Sequence, residues 1–382
     1  MMSGTKARAM VALLMAGAVA AAVSVGCGGA PSEPAKALEP EKMAESAKPT
    51  EPAVPAVPAG ETLTSGDFSM VLPLGLQAGA AYVPENNPLS QQKIDLGRKL
   101  YFDPRLSKDG TVSCATCHDP DKGFSDGRKT SSGIAGQVGG RNAPTVMNRL
   151  FSVEQFWDGR AEDLEAQALG PVQNPVEMGH TLEGMVSTLK RIQAYAPDFE
   201  KAFGSPGITA GRVGMAIASY ERTVLAGNAP YDRYQAGDRA AMSEASVRGM
   251  EIFNDAKRGN CLTCHAGFNF TDESYHNIGA GMDRPKPDLG RFTVTKKDFD
   301  RGAFKTPTLR NIAQNAPYLH DGSEKTLAGV VEFYDRGGVP NNWLSREIKP
   351  LKLSARDKAD LVAFLEALTG EVRGAERPTL PR

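Results

Sequence analysis

Cys114-Ala115-Thr116-Cys117-His118 and Cys261-Leu262-Thr263-Cys264-His265 are two copies of one pattern, C-x-x-C-H. In this pattern two thiols can add to the vinyl groups of one haem while the adjacent histidine ligates its iron. A lone C-x-x-C also suits zinc or thiol redox chemistry. Here a histidine follows each pair at once, and the two copies use four of the five cysteines. A zinc site needs four ligands, and disulfide exchange has no use for the histidine. The expectation is therefore two covalently bound haem c groups, one on Cys114 and Cys117 with His118 on its iron, the other on Cys261 and Cys264 with His265 on its iron.

The 382 residues, 41% hydrophobic and 23% charged, are enough for two ordinary domains with real cores. A formal net charge of -1 gives no electrostatic case for nucleic acid, so any charged docking patch has to be local. Forty glycines and 26 prolines point to a loop-rich protein, as expected where haem edges replace part of a side-chain core.

The amino terminus reads as an export signal, residues 1–27: Lys6 and Arg8, then small and apolar residues from Ala9 to Val25, then Gly26-Cys27-Gly28. Cys27 sits where a bacterial lipoprotein is cut and acylated, although Ser24 replaces the usual leucine. The alternative is cleavage near Ala20 to Ala22. Both place the product in the periplasm, with the membrane reached only through an amino-terminal lipid. Residues 28–62, rich in Pro, Ala, Glu and Lys, bury too little to offset ordering and read as a disordered tether. Folding is expected to begin between Leu63 and Leu89.

Ser90 caps an expected helix that ends at Asp103-Pro104, and the first haem motif follows in a helical turn after Ser113. Residues 119–143 read as loops. Helices are expected from Glu162 to Leu169, stopped by Gly170-Pro171, and over Thr181–Arg191 and Val213–Leu225. A second unit starts near Ser243 and repeats the order helix, short loop, haem motif. Residues 276–320 are again loop-rich, Thr326–Tyr334 is a short helix, and Ser354 and Asp357 cap a last helix stopped by Gly370. The division is a domain over 63–240, a second over 241–345, and a C-terminal helix and tail over 346–382.

With these stretches in place, the chain resembles the bacterial di-haem cytochrome c peroxidases, including the MauG branch that oxidises protein side chains. The resemblance rests on Leu96-Gly97-Arg98, Ser113 to Asp119, Phe156 to Ala161, Glu177-Met178-Gly179, His276 to Gly279, Lys305 to Asn311 and Ala316 to Gly322. It implies a mainly α fold of two cytochrome c-like domains, each with one haem, the haems near a shared interface. It also implies that His118 is proximal ligand at a peroxide site where Glu177 is the catalytic carboxylate, with Gln167 nearby and Pro171 beside the pocket. Such a carboxylate takes a proton from one peroxide oxygen and returns it to the other. Trp157 corresponds to the tryptophan between the haems, and Asn142, Asn315 and Pro317 to a calcium site. His276 and His320 lie in matching stretches without a role beyond hydrogen bonding, and His180 reads as a loop residue.

The chain departs from the common pattern at one place. Where many members carry a histidine that closes the peroxide iron until the other haem is reduced, this chain has Ile134. The resemblance then implies a first haem that is five-coordinate or water-ligated without reductive activation. At the second haem the usual methionine gives way to Tyr334, in Leu327-Ala328-Gly329-Val330-Val331-Glu332-Phe333-Tyr334, as in the MauG branch. Met282 is the rival ligand.

The leading expectation is an enzyme that reduces hydrogen peroxide to water at the first haem, with electrons arriving through the second. Electrons would come from a small cytochrome c or cupredoxin, or, in a MauG-like reaction, from a protein substrate's side chains. A non-enzymatic di-haem electron carrier and a sensor of peroxide or diatomic gas are the other classes; a carrier has no use for Glu177 and Gln167. Monomer and homodimer both remain open.

Overall fold

A computed structural model describes residues 59–382, which lie in one compact unit. The expected signal, Cys27 and nearly all of the tether lie outside the described residues. Among those described, no helix is long and apolar enough to cross a membrane.

The described chain opens with a hairpin, β1 (Thr62–Ser65) and β2 (Phe68–Val71), antiparallel with Leu63 opposite Met70. Leu63, Leu72, Leu76 and Leu89 then form a small core with Leu150 and Leu225. Next come α1 (Gln91–Phe102), α2 (Cys114–Cys117), α3 (Leu164–Gln173), α4 (Leu182–Arg191), α5 (Tyr195–Phe203) and α6 (Ala210–Glu221). A short strand β3 (Leu225–Gly227) and α7 (Pro230–Gln235) lead into α8 (Glu244–Asn254). The remainder is β4 (Tyr275–His276), α9 (Phe292–Thr295), β5 (Phe304–Lys305), α10 (Leu327–Asp335), α11 (Ala355–Glu366) and β6 (Glu371–Arg373). Two larger hydrophobic cores flank residue 240 in sequence, one built mainly from α1 to α6, the other from α8, α10, α11 and the loops between them.

The two cores repeat one construction. In the first, α1 crosses α6 at Gly97, where a Cβ would overlap the Ala216 carbonyl oxygen. In the second, α8 crosses α11 at Gly249, where a Cβ would overlap the Asp360 carbonyl oxygen. One turn further along each helix an aromatic pair closes the crossing. Tyr101 meets Tyr220 edge-on with ring centres 5.0 Å apart, and Phe253 meets Phe364 at 5.1 Å. Each crossing thus needs glycine for the approach and an aromatic pair for the packing that follows.

Five of the expected helix starts coincide with side-chain caps: the hydroxyls of Ser90, Thr181, Ser243, Thr326 and Ser354 accept from the backbone amide of the third residue of α1, α4, α8, α10 and α11. Other boundaries differ. Gly170-Pro171 does not stop α3, which runs to Gln173. Proline's φ suits a helix and its missing N–H costs only one bond so near the end, where the Asn174 amide closes onto Gly170 and Pro171. The stretch to Leu225 is not helical throughout: α6 starts at Ala210 and ends at Glu221, and Leu225 pairs with Arg373 in an antiparallel β3–β6 ladder. Gly370 lies beyond the end of α11 rather than stopping it, and the Gly227 carbonyl passes so close that a side chain would not fit there. Through that ladder the C-terminal tail returns to the first core, where the Tyr220 hydroxyl donates to the Gly374 carbonyl at 2.7 Å.

Candidate active site

Each haem motif is held by its own local bonds. Ser113 and Thr116 form a capping box that makes the first Cys-x-x-Cys one helical turn, and the His118 amide donates to the Cys114 carbonyl at 2.9 Å. The second turns as a 3-10 helix after Asn260 in the left-handed region, with the His265 amide on the Cys261 carbonyl, also 2.9 Å. The His118 Nδ1 lies 3.3 Å from the Phe124 carbonyl oxygen, and the His265 Nδ1 3.0 Å from that of Phe270. A carbonyl at Nδ1 fixes the ring and leaves Nε2 for a metal. Burial holds both imidazoles below the ordinary histidine range, which favours the neutral, ligating form.

The thiols do not fit the rival chemistries. Burial pushes Cys117 and Cys264 up to about 11 and Cys261 to about 12, opposite to the depressed pKa of a thiol-exchange site. Among the described residues the one group of clustered metal-ligating side chains joins Cys264 to Asp272 and His276, and leaves out Cys261 and His265.

Two cavities open beside the motifs. The first, 440 Å³, is lined by Cys114, Cys117 and His118, and by Trp157, Gln167, Pro171 and Glu177. The second, 230 Å³, is lined by Cys261, Cys264, His265 and Tyr334. Close-packed interiors seldom leave voids much larger than a water, so spaces of this size beside paired cysteines suit a large prosthetic group. Trp157 lines both cavities, as do Arg149, Lys305 and the segments Asn142–Thr145 and Lys305–Pro307. The Trp157 indole donates to the Asn142 carbonyl at 2.9 Å, and the Lys305 amide donates to the Trp157 carbonyl at 2.8 Å.

Glu177 lies just past α3, and its Oε1 accepts from the Asn174 side-chain amide at 2.9 Å. Burial raises its pKa above the ordinary carboxylate value, against the opposing charge of Arg160 and the Asn174 bond. Ile134 does not line the cavity. Its amide donates to the Glu177 carbonyl at 2.8 Å and its side chain packs toward Gly179, so it braces the loop that carries the acid. Of the chain's five histidines, only His118 lines this cavity. His180 accepts from the Thr181 amide on a loop, as expected.

At the second cavity Tyr334 enters from the last turn of α10, and burial raises its phenol well above the ordinary range. Met282 is not among the lining residues; its sulfur lies against Gly302. His276 and His320 do line this cavity. His276 pairs with Asp272 at 2.7 Å, and the His320 ring stacks on Phe304 with centres 3.5 Å apart. Asn142, Asn315 and Pro317 come together on the same cavity. The Asn142 and Asn315 side-chain amides donate to the Arg128 and Gly123 carbonyls, and the buried Asn315 Oδ1 has no hydrogen-bond partner. A buried oxygen in that state suits a hard cation. Sequence reasoning missed Asn174, Arg160, Arg149, Lys305 and Glu221 as cavity residues. Asn174, three residues before Glu177, was the one with a readable signal.

Two C-x-x-C-H motifs, each lining a cavity of its own, with a buried carboxyl in the first, have the features of a c-type di-haem oxidoreductase. The family model for di-haem cytochrome c peroxidase matches residues 91–240. The methylamine utilization protein MauG of Methylophilus methylotrophus is 40% identical over 300 residues, covering 78% of this chain and 88% of that protein. The cytochrome c551 peroxidase of Pseudomonas aeruginosa is 38% identical over 320 residues, covering 80% and 89%. A crystal structure of a MauG-like protein associated with microbial copper homeostasis superimposes with a TM-score of 0.72 at 33% identity, covering 78% of this chain and 96% of that one. The chain belongs to the di-haem cytochrome c peroxidase family, oxidoreductases that act on peroxide and carry c-type haem.

Proposed function

We propose that the protein reduces hydrogen peroxide to two waters at the first haem, with two electrons passing singly through the second haem and two protons from solvent, and that it needs no prior reduction to open the site. Cys114, Cys117 and His118 would hold the first haem, and Cys261, Cys264, His265 and Tyr334 the second. When bound, these groups supply the iron centres that take up peroxide and store oxidising equivalents.

The observation that carries the reading is the furnishing of the first cavity. Glu177, Gln167, Pro171 and Trp157 share it with the haem motif, and no second histidine lines it. Glu177 exchanges the proton between the two peroxide oxygens, Asn174 orients its carboxyl, and Gln167 offers an amide for the same peroxide. Trp157, which lines both cavities, is the relay for electrons. An electron carrier would need none of this acid-base equipment. Tyr334 favours a second reading within the same chemistry, in which a protein side chain rather than a small cytochrome c or cupredoxin gives up the electrons. Asn142, Asn315 and Pro317 would hold one calcium ion between the sites, and the periplasm is the compartment where c-type haem is attached.

Glu177→Gln tests the acid. It should lower peroxide turnover by about 10²–10⁴-fold while both haems remain attached and reducible. Because Glu177 must be ionised to accept a proton and its pKa is raised, wild-type turnover should climb with pH through a point above the ordinary carboxylate range. Unchanged turnover in the variant would remove Glu177 from the mechanism.

A further inference from the structure

A second carboxyl faces the first cavity. Glu221 is the last residue of α6, 3% exposed, and lines the cavity that holds Cys114 and His118. Its Oε2 is buried and has no hydrogen-bond partner. An ionised carboxylate in that position would be costly, whereas a neutral acid is tolerable.

Arg160, Lys305 and Glu177 are among the charged groups that line the same cavity, and the charges that act most on Glu221 are those of Arg149, Arg222 and Glu165. Arg222 follows Glu221 as the C-cap of α6 but is spent on Glu165 of α3, in a two-pronged pair at 2.7 and 2.9 Å. Arg149, from the loop before Trp157, bonds to the neutral Gln155 side chain at 2.8 Å and lines the cavity too. Tyr101 of α1 and Tyr220 of α6 are held neutral by burial, and Cys114 of α2 no longer titrates once bonded to haem. Burial, only partly offset by Arg149 and Arg222 and reinforced by Glu165, pushes Glu221 up to about 8. The Arg222 pair instead keeps Glu165 below the ordinary range despite its burial. Glu221, unlike Glu165, is thus a group whose charge can change near neutral pH.

We propose that Glu221 is a charge-compensating residue of the first haem site: it holds a proton while the iron is ferrous and releases it to solvent when the iron becomes ferric. Reduction of ferric iron then takes up one electron and, on Glu221, one proton. The burial of Glu221 makes the coupling effective, because a positive charge gained at the iron would be answered by a negative one in the wall of the same cavity, poorly screened by solvent. Glu221 acts through the iron's charge and is a positioning residue, distinct from Glu177, which handles the substrate's proton.

This inference rests on His118 and its two cysteines holding a haem, which a pyridine haemochrome count of two haems per chain checks separately. The test is the midpoint potential of the high-spin haem in the full protein, followed optically from pH 5 to 9 in wild type and Glu221→Gln. In wild type the potential should fall with rising pH, by up to about 59 mV for each tenfold change in proton concentration. Glutamine cannot ionise, so the variant should match wild type in acid and lie above it in alkali; the haem's own carboxylates titrate alike in both. Parallel curves over the whole range, with two haems bound, would overturn the proposal. If the variant fails to fold, the oxidised-minus-reduced infrared spectrum of wild type decides: loss of a carboxylic acid band on oxidation supports it, and no such change overturns it.

Discussion

Tyr334 reaches the second cavity from the same helical turn that buries Phe333, and a phenol aimed into such a cavity needs a partner for its oxygen. Iron is the partner this account assigns. A phenolate stabilises ferric iron, whereas a thioether raises the potential. Tyr334→Met should therefore raise the second haem's potential by on the order of 0.1 V or more, and Tyr334→Phe should change its low-spin spectrum. An unchanged spectrum in the phenylalanine variant would return Tyr334 to a packing role. At this scale the sequence was informative where a residue sits in a motif and silent where burial makes the chemistry. Glu177 could be placed from its order beyond the first haem motif. Glu221 lies in no motif, and only the packing of α6 reveals that the arginine beside it pairs with Glu165 and leaves Glu221 in the cavity wall.

The helix pairs α1–α6 and α8–α11 carry the strongest demand at the scale of elements. Gly97 and Gly249 let one helix backbone rest on the carbonyl of another, and the neighbour at each point is backbone, which cannot rotate away. Gly97→Ala and Gly249→Ala should each destabilise the protein by about 1–3 kcal/mol, read as a lower thermal midpoint with haem content intact. A melt unchanged by either substitution would mean that the crossing is looser than described. Helices with a serine or threonine cap and helical periodicity were legible in advance. The missed ones lack such a signal: α5 follows α4 after a short turn with Ala194, which offers no cap, and α7 is six residues entered through Pro230. Strands of two to four residues are too short for alternation to register. A further repeat emerges only in three dimensions. Pro144-Thr145-Val146-Met147-Asn148 and Pro307-Thr308-Leu309-Arg310-Asn311 each end on an asparagine in the left-handed region, and each begins on the wall between the cavities.

On the scale of the whole molecule, the wall shared by the cavities is fastened from several directions. Lys305 sits in it, 6% exposed, its ammonium on the Glu154 carbonyl at 2.7 Å and against Glu273. Just beyond, the fully buried Arg310 pairs with Asp232 of α7 and donates to the Phe268 and Gly75 carbonyls, tying the start of the described chain to the second haem loop. Such a pair is costly to break one-sidedly, and Trp157 itself is held by its bonds to the Asn142 carbonyl and the Lys305 amide. Residues 371–375 lead back through β6 to the first of the two larger cores, so the C-terminal tail closes onto the part of the chain that carries the first haem motif. In the proposed reaction an indole in that wall would relay electrons between the two sites, and the first iron would be open from the outset. That condition is the centre of the account, and it is tested by the EPR and optical spectra of the fully oxidised protein before and after one equivalent of peroxide. The expected result is a high-spin haem beside a low-spin one, and an immediate reaction that leaves a long-lived oxidised state. Two low-spin haems that ignore peroxide until half-reduced would contradict it.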